Sequence, residues 1–145
     1  MLKVLGATVT LLAVLVAGVW VLPASHDQGE LSGIWRFRVR LESGRSTVRF
    51  LLRQDGEVLS GTYDGSYGAL PITGTASGDD IEFSFVIQAD PASSLRPLAT
   101  APPEDTRVTY RGTIHDGTMS GKCDYGEVSG EGTWEAERAN SIWDF

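Results

Sequence analysis

The chain holds one cysteine, Cys123, among 145 residues, so no disulfide can form within it. Its fold must rest on a hydrophobic core, even in a compartment that would permit cross-links. A lone thiol in an apolar strand acts as a small buried hydrophobe. Histidine is almost as scarce, and His26 and His115 lie far apart with no ligand spacing around them, so no metal site is expected. His115-Asp116 falls in a Gly-containing turn with no nucleophile beside it. Catalytic residues and cofactors are therefore read as none, and the protein as non-enzymatic. Positive charge is the minority sign, 12 Lys and Arg against 19 Asp and Glu, for a net charge of −7. That balance argues against nucleic acid as a partner, which would call for a broad basic surface. A helical period is also missing: beyond Leu22 no such apolar spacing persists for more than two turns. Phosphate loops, which need a helix N-terminus behind them, go with it.

What is present begins with Val4 to Leu22, nineteen residues without a charge. As a helix this stretch reaches roughly 28 Å, close to the ~30 Å hydrocarbon core of a bilayer. A cleavable signal peptide predicts a shorter apolar region and a small-x-small cleavage site, whereas Leu22 stands two places before Ala24. Residues 1–24 are read as an uncleaved transmembrane signal anchor, with a cleaved, secreted form as the alternative. Lys3 and the amino terminus hold the near side in the cytoplasm, Trp20 suits the outer interface and Pro23 ends the helix. The location expected is the cytoplasmic (inner) membrane, single-pass, with the domain after it periplasmic. Gly6, Thr10, Ala13 and Ala17 share one helix face, and such small-residue stripes let helices pack closely in lipid. They are the candidate helix-packing face.

Residues 25–30 form a polar connector, and 31–138 read as one all-β domain. Gly33 to Leu41 alternates without error, Trp35, Phe37, Val39 and Leu41 inward and Arg36, Arg38 and Arg40 outward. A turn over Glu42 to Ser46 leads into Thr47 to Gln54, where Val48, Phe50 and Leu52 point inward. Asp55-Gly56 is the strongest turn signal, since a tight primed turn needs positive φ. Strands follow at Glu57–Tyr63, Ala69–Ala76 and Ile81–Gln88, then a Pro-rich loop over 89–106, then strands at Arg107–Ile114, Thr118–Asp124 and Val128–Arg138. A loop of that length is a lid, binding arm or insert. Gly-Thr recurs inside four strands, at Gly61, Gly74, Gly112 and Gly132, with Gly121-Lys122 as a variant. Glycine inside a strand marks sharp bending or close approach, as in a small closed barrel. The prediction is an antiparallel up-and-down barrel or sandwich of about eight strands, preceded by one transmembrane α-helix.

Gly33-Ile34-Trp35 at the start of the first strand and Arg138 at the end of the last resemble the calycin group, the lipocalins and avidins. Leu59 to Tyr63 and Tyr110 to Thr113 are similar to avidin strands, and the likeness spans Leu31 to Arg138. The resemblance implies that Trp35 and Arg138 close one barrel end as a cation–π lid. It also implies polar pocket roles for Tyr63 and Ser66. The tryptophans of an avidin pocket are missing from Ile81 to Gln88, and Arg36 and Phe37 replace an asparagine-bearing stretch, so biotin binding is not expected.

Arg36, Arg38, Arg40, Arg45, Arg49 and Arg53 crowd the first hairpin of an acidic chain. Arg36, Arg38, Arg40, Arg49 and Arg53 are the candidate docking face for anionic lipid or an acidic subunit; cross-strand pairing with Glu131, Glu135 and Glu137 is the competing reading. In the apolar tail, 139–145, Ile142, Trp143 and Phe145 are candidate contacts for a barrel cap, the membrane interface or another protein. These features predict an accessory or structural subunit of a larger membrane protein complex, with membrane lipid and other subunits as partners. The alternative is a barrel that binds a small apolar molecule.

Overall fold

A computed structural model describes residues 31–90, 101–102 and 104–140. The alternating segments become β1 (Gly33–Leu41), β2 (Gly44–Asp55), β3 (Val58–Gly65), β4 (Gly68–Ser77), β5 (Asp80–Ile87), β6 (Thr106–His115), β7 (Thr118–Asp124) and β8 (Glu131–Arg138). Each pairs antiparallel with the next, and β8 returns to β1, which closes an eight-stranded up-and-down barrel. Closure removes every sheet edge. The period-two pattern explains the facing: in β1, Trp35, Phe37 and Val39 are buried while Arg38 and Arg40 are exposed.

Aromatic rings fill the interior. Phe37 stacks on Trp134 with centroids 4.8 Å apart, Phe83 on Tyr110 at 5.2 Å, and Tyr63 on Phe85 at 4.4 Å. Phe50 sits among them, 4.5 Å from Phe37 and 5.1 Å from Phe83. Rings of that size leave room only where their strand neighbours are small. Gly74 stands opposite Phe83, and Gly121 opposite both Trp134 and Gly112. A Cβ on Gly121 would fall 1.9 Å from the Arg111 carbonyl oxygen, and one on Gly74 2.0 Å from that of Glu82. The Gly-Thr repeat is thus a device for coiling the sheet tightly around large rings.

Most boundaries fall within two residues of the expected ones, and two differ by three. The first turn is Glu42-Ser43 alone, because β2 begins at Gly44, which pairs with Leu41. Val128 lies in the turn before β8; the Gly130 N–H donates to the Gly126 carbonyl and the Tyr125 N–H to that of Gly130, which curls this segment away from the ladder.

Sequential antiparallel order puts the β1–β2, β3–β4, β5–β6 and β7–β8 connections at one end, called the mouth. Both chain ends leave from the other. The Ala139 N–H donates to the Ile34 carbonyl at 2.9 Å, so the tail departs beside the start of β1. At the mouth, the base of the long loop is tied by Asp90 N–H to the Pro102 carbonyl and Ala89 N–H to Asp105 Oδ1, both 2.8 Å. Residues 91–100 and 103 of that loop lie outside the described residues. So do the expected anchor with Gly6, Thr10, Ala13 and Ala17, and the candidate tail contacts Ile142, Trp143 and Phe145. Among the described residues no helix is long and apolar enough to cross a membrane.

Candidate functional site

Three places on the barrel bring functional groups together: the end where the chain enters, the mouth, and the outer face of β7, β8, β1 and β2. At the entry end Trp35 Nε1 donates to the Leu31 carbonyl at 2.8 Å, and the Leu31 N–H donates to Gln54 Oε1 at 2.9 Å. The Arg138 guanidinium carbon lies 4.6 Å from the centroid of the Trp35 ring, and Arg138 Nη1 donates to the Ser32 carbonyl at 2.8 Å. Leu31 is itself buried, so this end is plugged by chain, ring and guanidinium together.

The mouth is polar and tyrosine-rich. A cavity of about 170 Å³ is lined there by Ser43, Arg45, Tyr63, Ser66, Tyr67 and Ser129, among others. The Tyr63 phenol tucks beneath the β3–β4 turn, where the backbone N–H groups of Tyr67 and Ser66 reach it, and burial pushes it up to about 12. The Tyr110 and Tyr125 hydroxyls bond to each other, and burial raises both well above the ordinary range. Cys123, buried close by, is pushed up to about 11 by the same loss of water and is an unreactive thiol at neutral pH. Of the residues that the resemblance marks as polar pocket groups, Tyr63 and Ser66 both reach this cavity. Tyr67, Tyr125 and Ser129 complete it without any spacing in the sequence that announces them.

The arginine face resolves into two transverse rows. In the first, register sets Glu137, Arg36, Arg49 and Asp64 side by side across β8, β1, β2 and β3. Arg36 pairs with Glu137, and Arg49 with Asp64; Arg38 also reaches Glu137, at 2.7 Å. The hydrogen bond from Arg36, then the charge of Arg38, hold the Glu137 carboxyl below its usual range. The two facing arginines of that row are thus flanked by carboxylates on both sides. Like charges directly opposite otherwise cost roughly 0.2–1 kcal/mol.

The second row lies nearer the mouth and lacks the carboxylates. Lys122, Thr133, Arg40 and Arg45 follow one another across β7, β8, β1 and β2. Arg40, Arg45 and Lys122 form no ion pair with any described residue. On β6, Arg111 stands opposite Lys122 but is held by Glu82 at 3.2 Å. Arg53, the last of the candidate docking arginines, faces Ser60 near the entry end. The sequence pattern expects all six arginines on one face, with pairing to Glu131, Glu135 and Glu137 as the competing reading. Glu131 instead stands opposite Asp124 on β7, whereas Asp64, absent from that reading, neutralises Arg49, and Lys122 adds a further cation to the second row. The two-residue turn at Glu42-Ser43 was the missing datum, because it alone sets Arg45 opposite Arg40.

Elsewhere, exposed His115 ends β6 and exposed Asp116 opens the turn to β7, their side chains 3.2 Å apart. Among the described residues no group of three or more His, Cys, Asp or Glu side chains could hold a metal ion. No known family model matches the chain, and no curated protein matches it. The class of protein defined by the fold is the closed eight-stranded antiparallel barrel, an architecture compatible with the calycin-like one.

Proposed function

We propose that the protein is a calycin-like barrel anchored by residues 1–24 in the cytoplasmic membrane, facing the periplasm, and serving as a non-enzymatic accessory or structural subunit of a larger membrane complex. The observation that carries this reading is the packed interior. With Phe37, Phe50, Phe83, Phe85, Tyr110 and Trp134 all fully buried along the axis, the side chains left to meet other molecules are those of the outer face and the two ends. An eight-stranded barrel either fills itself in this way or encloses one small ligand. The filled state favours contact with partners over the lipocalin-like storage of an apolar molecule.

The tethering geometry gives the outer face its use. Residues 25–30 join the entry end, so in this reading that end lies toward the membrane and the mouth, with the long loop, points away. Purification of the full chain from membranes in mild detergent tests the proposal: stoichiometric partner proteins should accompany it. A monodisperse lone protein, or one that yields a bound apolar molecule on extraction, would refute the subunit reading.

A further inference from the structure

We infer that the row Lys122, Thr133, Arg40 and Arg45 is a binding site for an acidic, extended polypeptide segment laid across the strands. This names the partner chemistry of the subunit reading and, in preferring protein to lipid, rests on it. Three observations carry the site itself. The cations Arg40, Arg45 and Lys122 have no ion-pair partner among the described residues, in a protein whose net charge is −7. Arg40 and Arg45 stand directly opposite each other, so each raises the other's demand for an anion. Over β7, β8 and β1 the surface is also grooved: a concavity of about 310 Å³ is lined by Arg38, Arg40, Ser120, Lys122, Thr133 and Glu135, among others, with Arg45 on the next strand beyond it.

The groove follows from the fold. Gly121 lines the groove, and with no Cβ it lets β7 coil tightly against β6. Thr133 offers a hydroxyl between Lys122 and Arg40, suited to carboxylate oxygens. Glu135 stands opposite Arg38 and occupies that arginine's side of the groove, which leaves Arg40 and Lys122 as the open charges.

The dimensions choose the occupant. From β7 to β2 the row crosses three strand spacings, roughly 14 Å at ~4.8 Å each, too far for one small anion to bridge. A linear polyanion can meet it. An anionic membrane plane would also press against Asp124 and Glu131, which stand opposite each other on the mouth side of the row, and against Glu135. Of these carboxylates only Glu135 lines the groove, so a narrow segment meets one where a plane meets three. Strand addition is closed to this barrel because it has no edge, so recognition must run through side chains.

The test uses the full chain in nanodiscs of neutral lipid, titrated with fluorescent deca-glutamate and followed by anisotropy. Saturable binding is expected at low salt, falling steeply as salt rises. The double variant Arg40→Ser with Lys122→Ser should weaken it about tenfold or more, whereas Arg53→Ser, at the other end of β2, should change it less than about twofold. Thermal unfolding of the double variant should match the parent, since relief of like charge offsets lost contacts. Absence of saturable binding overturns the site, as does equal weakening by Arg53→Ser. Binding to vesicles rich in phosphatidylserine with none to the peptide overturns the choice of a protein partner. The titration reads the row alone, so its failure leaves the co-purification result standing, and the reverse holds equally.

Discussion

The Arg138 guanidinium covers the Trp35 ring at 4.6 Å, joining the last strand to the first at the end where the chain enters. Gly33 is what lets it lie there. Its φ of +137° suits glycine, and a Cβ at that position would fall 2.9 Å from Arg138 Nη1. The Gly-x-Trp triplet and the distant arginine are therefore one unit: glycine clears the space, tryptophan supplies the face, and arginine ties the face to the Ser32 carbonyl.

Truncation of the lid should loosen closure without unmaking the core. Arg138→Ala is expected to cost roughly 1–2 kcal/mol, from an exposed cation–π contact plus one charged hydrogen bond. Gly33→Ala should cost a similar amount, and the double variant little more than either, because both act on one contact. Urea unfolding of the four proteins checks this, and full additivity would show that Gly33 serves the backbone alone.

The interior glycines make a harder demand. Gly121→Ala places a Cβ against the Arg111 carbonyl, where backbone rather than a mobile side-chain tip must yield. A loss of about 3 kcal/mol or more is expected, at the upper end of overpacking costs. Gly117→Ala, at φ +77° with open space around it, should cost only about 1 kcal/mol. Comparison of their thermal midpoints separates crowding from turn strain.

Strand positions and facing were legible because period two survives wherever one sheet face is buried, as in Trp35 to Leu41 and Ile81 to Ile87. Closure was half legible. Gly61, Gly74, Gly112, Gly121 and Gly132 signalled bending, but barrel and sandwich use the same strands, and only the pairing of Trp35 with Arg138 and Arg36 with Glu137 distinguishes them. The charged rows were not legible, since a side chain's cross-strand neighbour depends on turn length. Reading the first turn as Glu42 to Ser46 left Arg45 in a loop, whereas the two-residue turn puts it opposite Arg40. The mouth cavity was hidden for the same reason: Tyr67 and Tyr125 come from turns far apart in the chain.

Biotin should not bind. The inner positions of β5 are Ile81, Phe83, Phe85 and Ile87, and Phe50 and Phe37 occupy the axis where a ligand would have to enter. Passage over immobilised biotin should give no retention, and clear retention would show that the core opens.

In the proposed reading, residues 1–24 should do more than hold the domain in place. Replacing Gly6, Thr10, Ala13 and Ala17 by leucine keeps the segment apolar and of unchanged length, so insertion is expected to persist. If the segment packs as a helix through these four residues, close approach is lost and co-purifying partners should fall away. Unchanged partner recovery from membranes would reduce the segment to a tether.

Alkali should unfold the barrel through its tyrosines. In the unfolded chain tyrosine ionises near pH 10, whereas burial holds Tyr63 to about 12 and keeps Tyr110, Tyr125 and Tyr67 above the ordinary value too. Below about pH 10 these groups are neutral in both states and stability is flat with respect to them. Above it the unfolded chain loses protons that the barrel retains, so each such tyrosine removes up to ~1.4 kcal/mol per pH unit until its folded value is reached. Cys123, moved from 9.0 to about 11, adds a loss of the same sign that begins earlier. Glu137 acts oppositely: its lowered value gives stability at neutral pH that is lost as pH falls below the ordinary carboxylate range. Tyrosinate absorbance and far-ultraviolet dichroism followed together through the alkaline range should change in one cooperative step, because the buried phenols ionise only when the barrel opens. Gradual ionisation of all four tyrosines with the dichroism intact would mean that water already reaches the aromatic column.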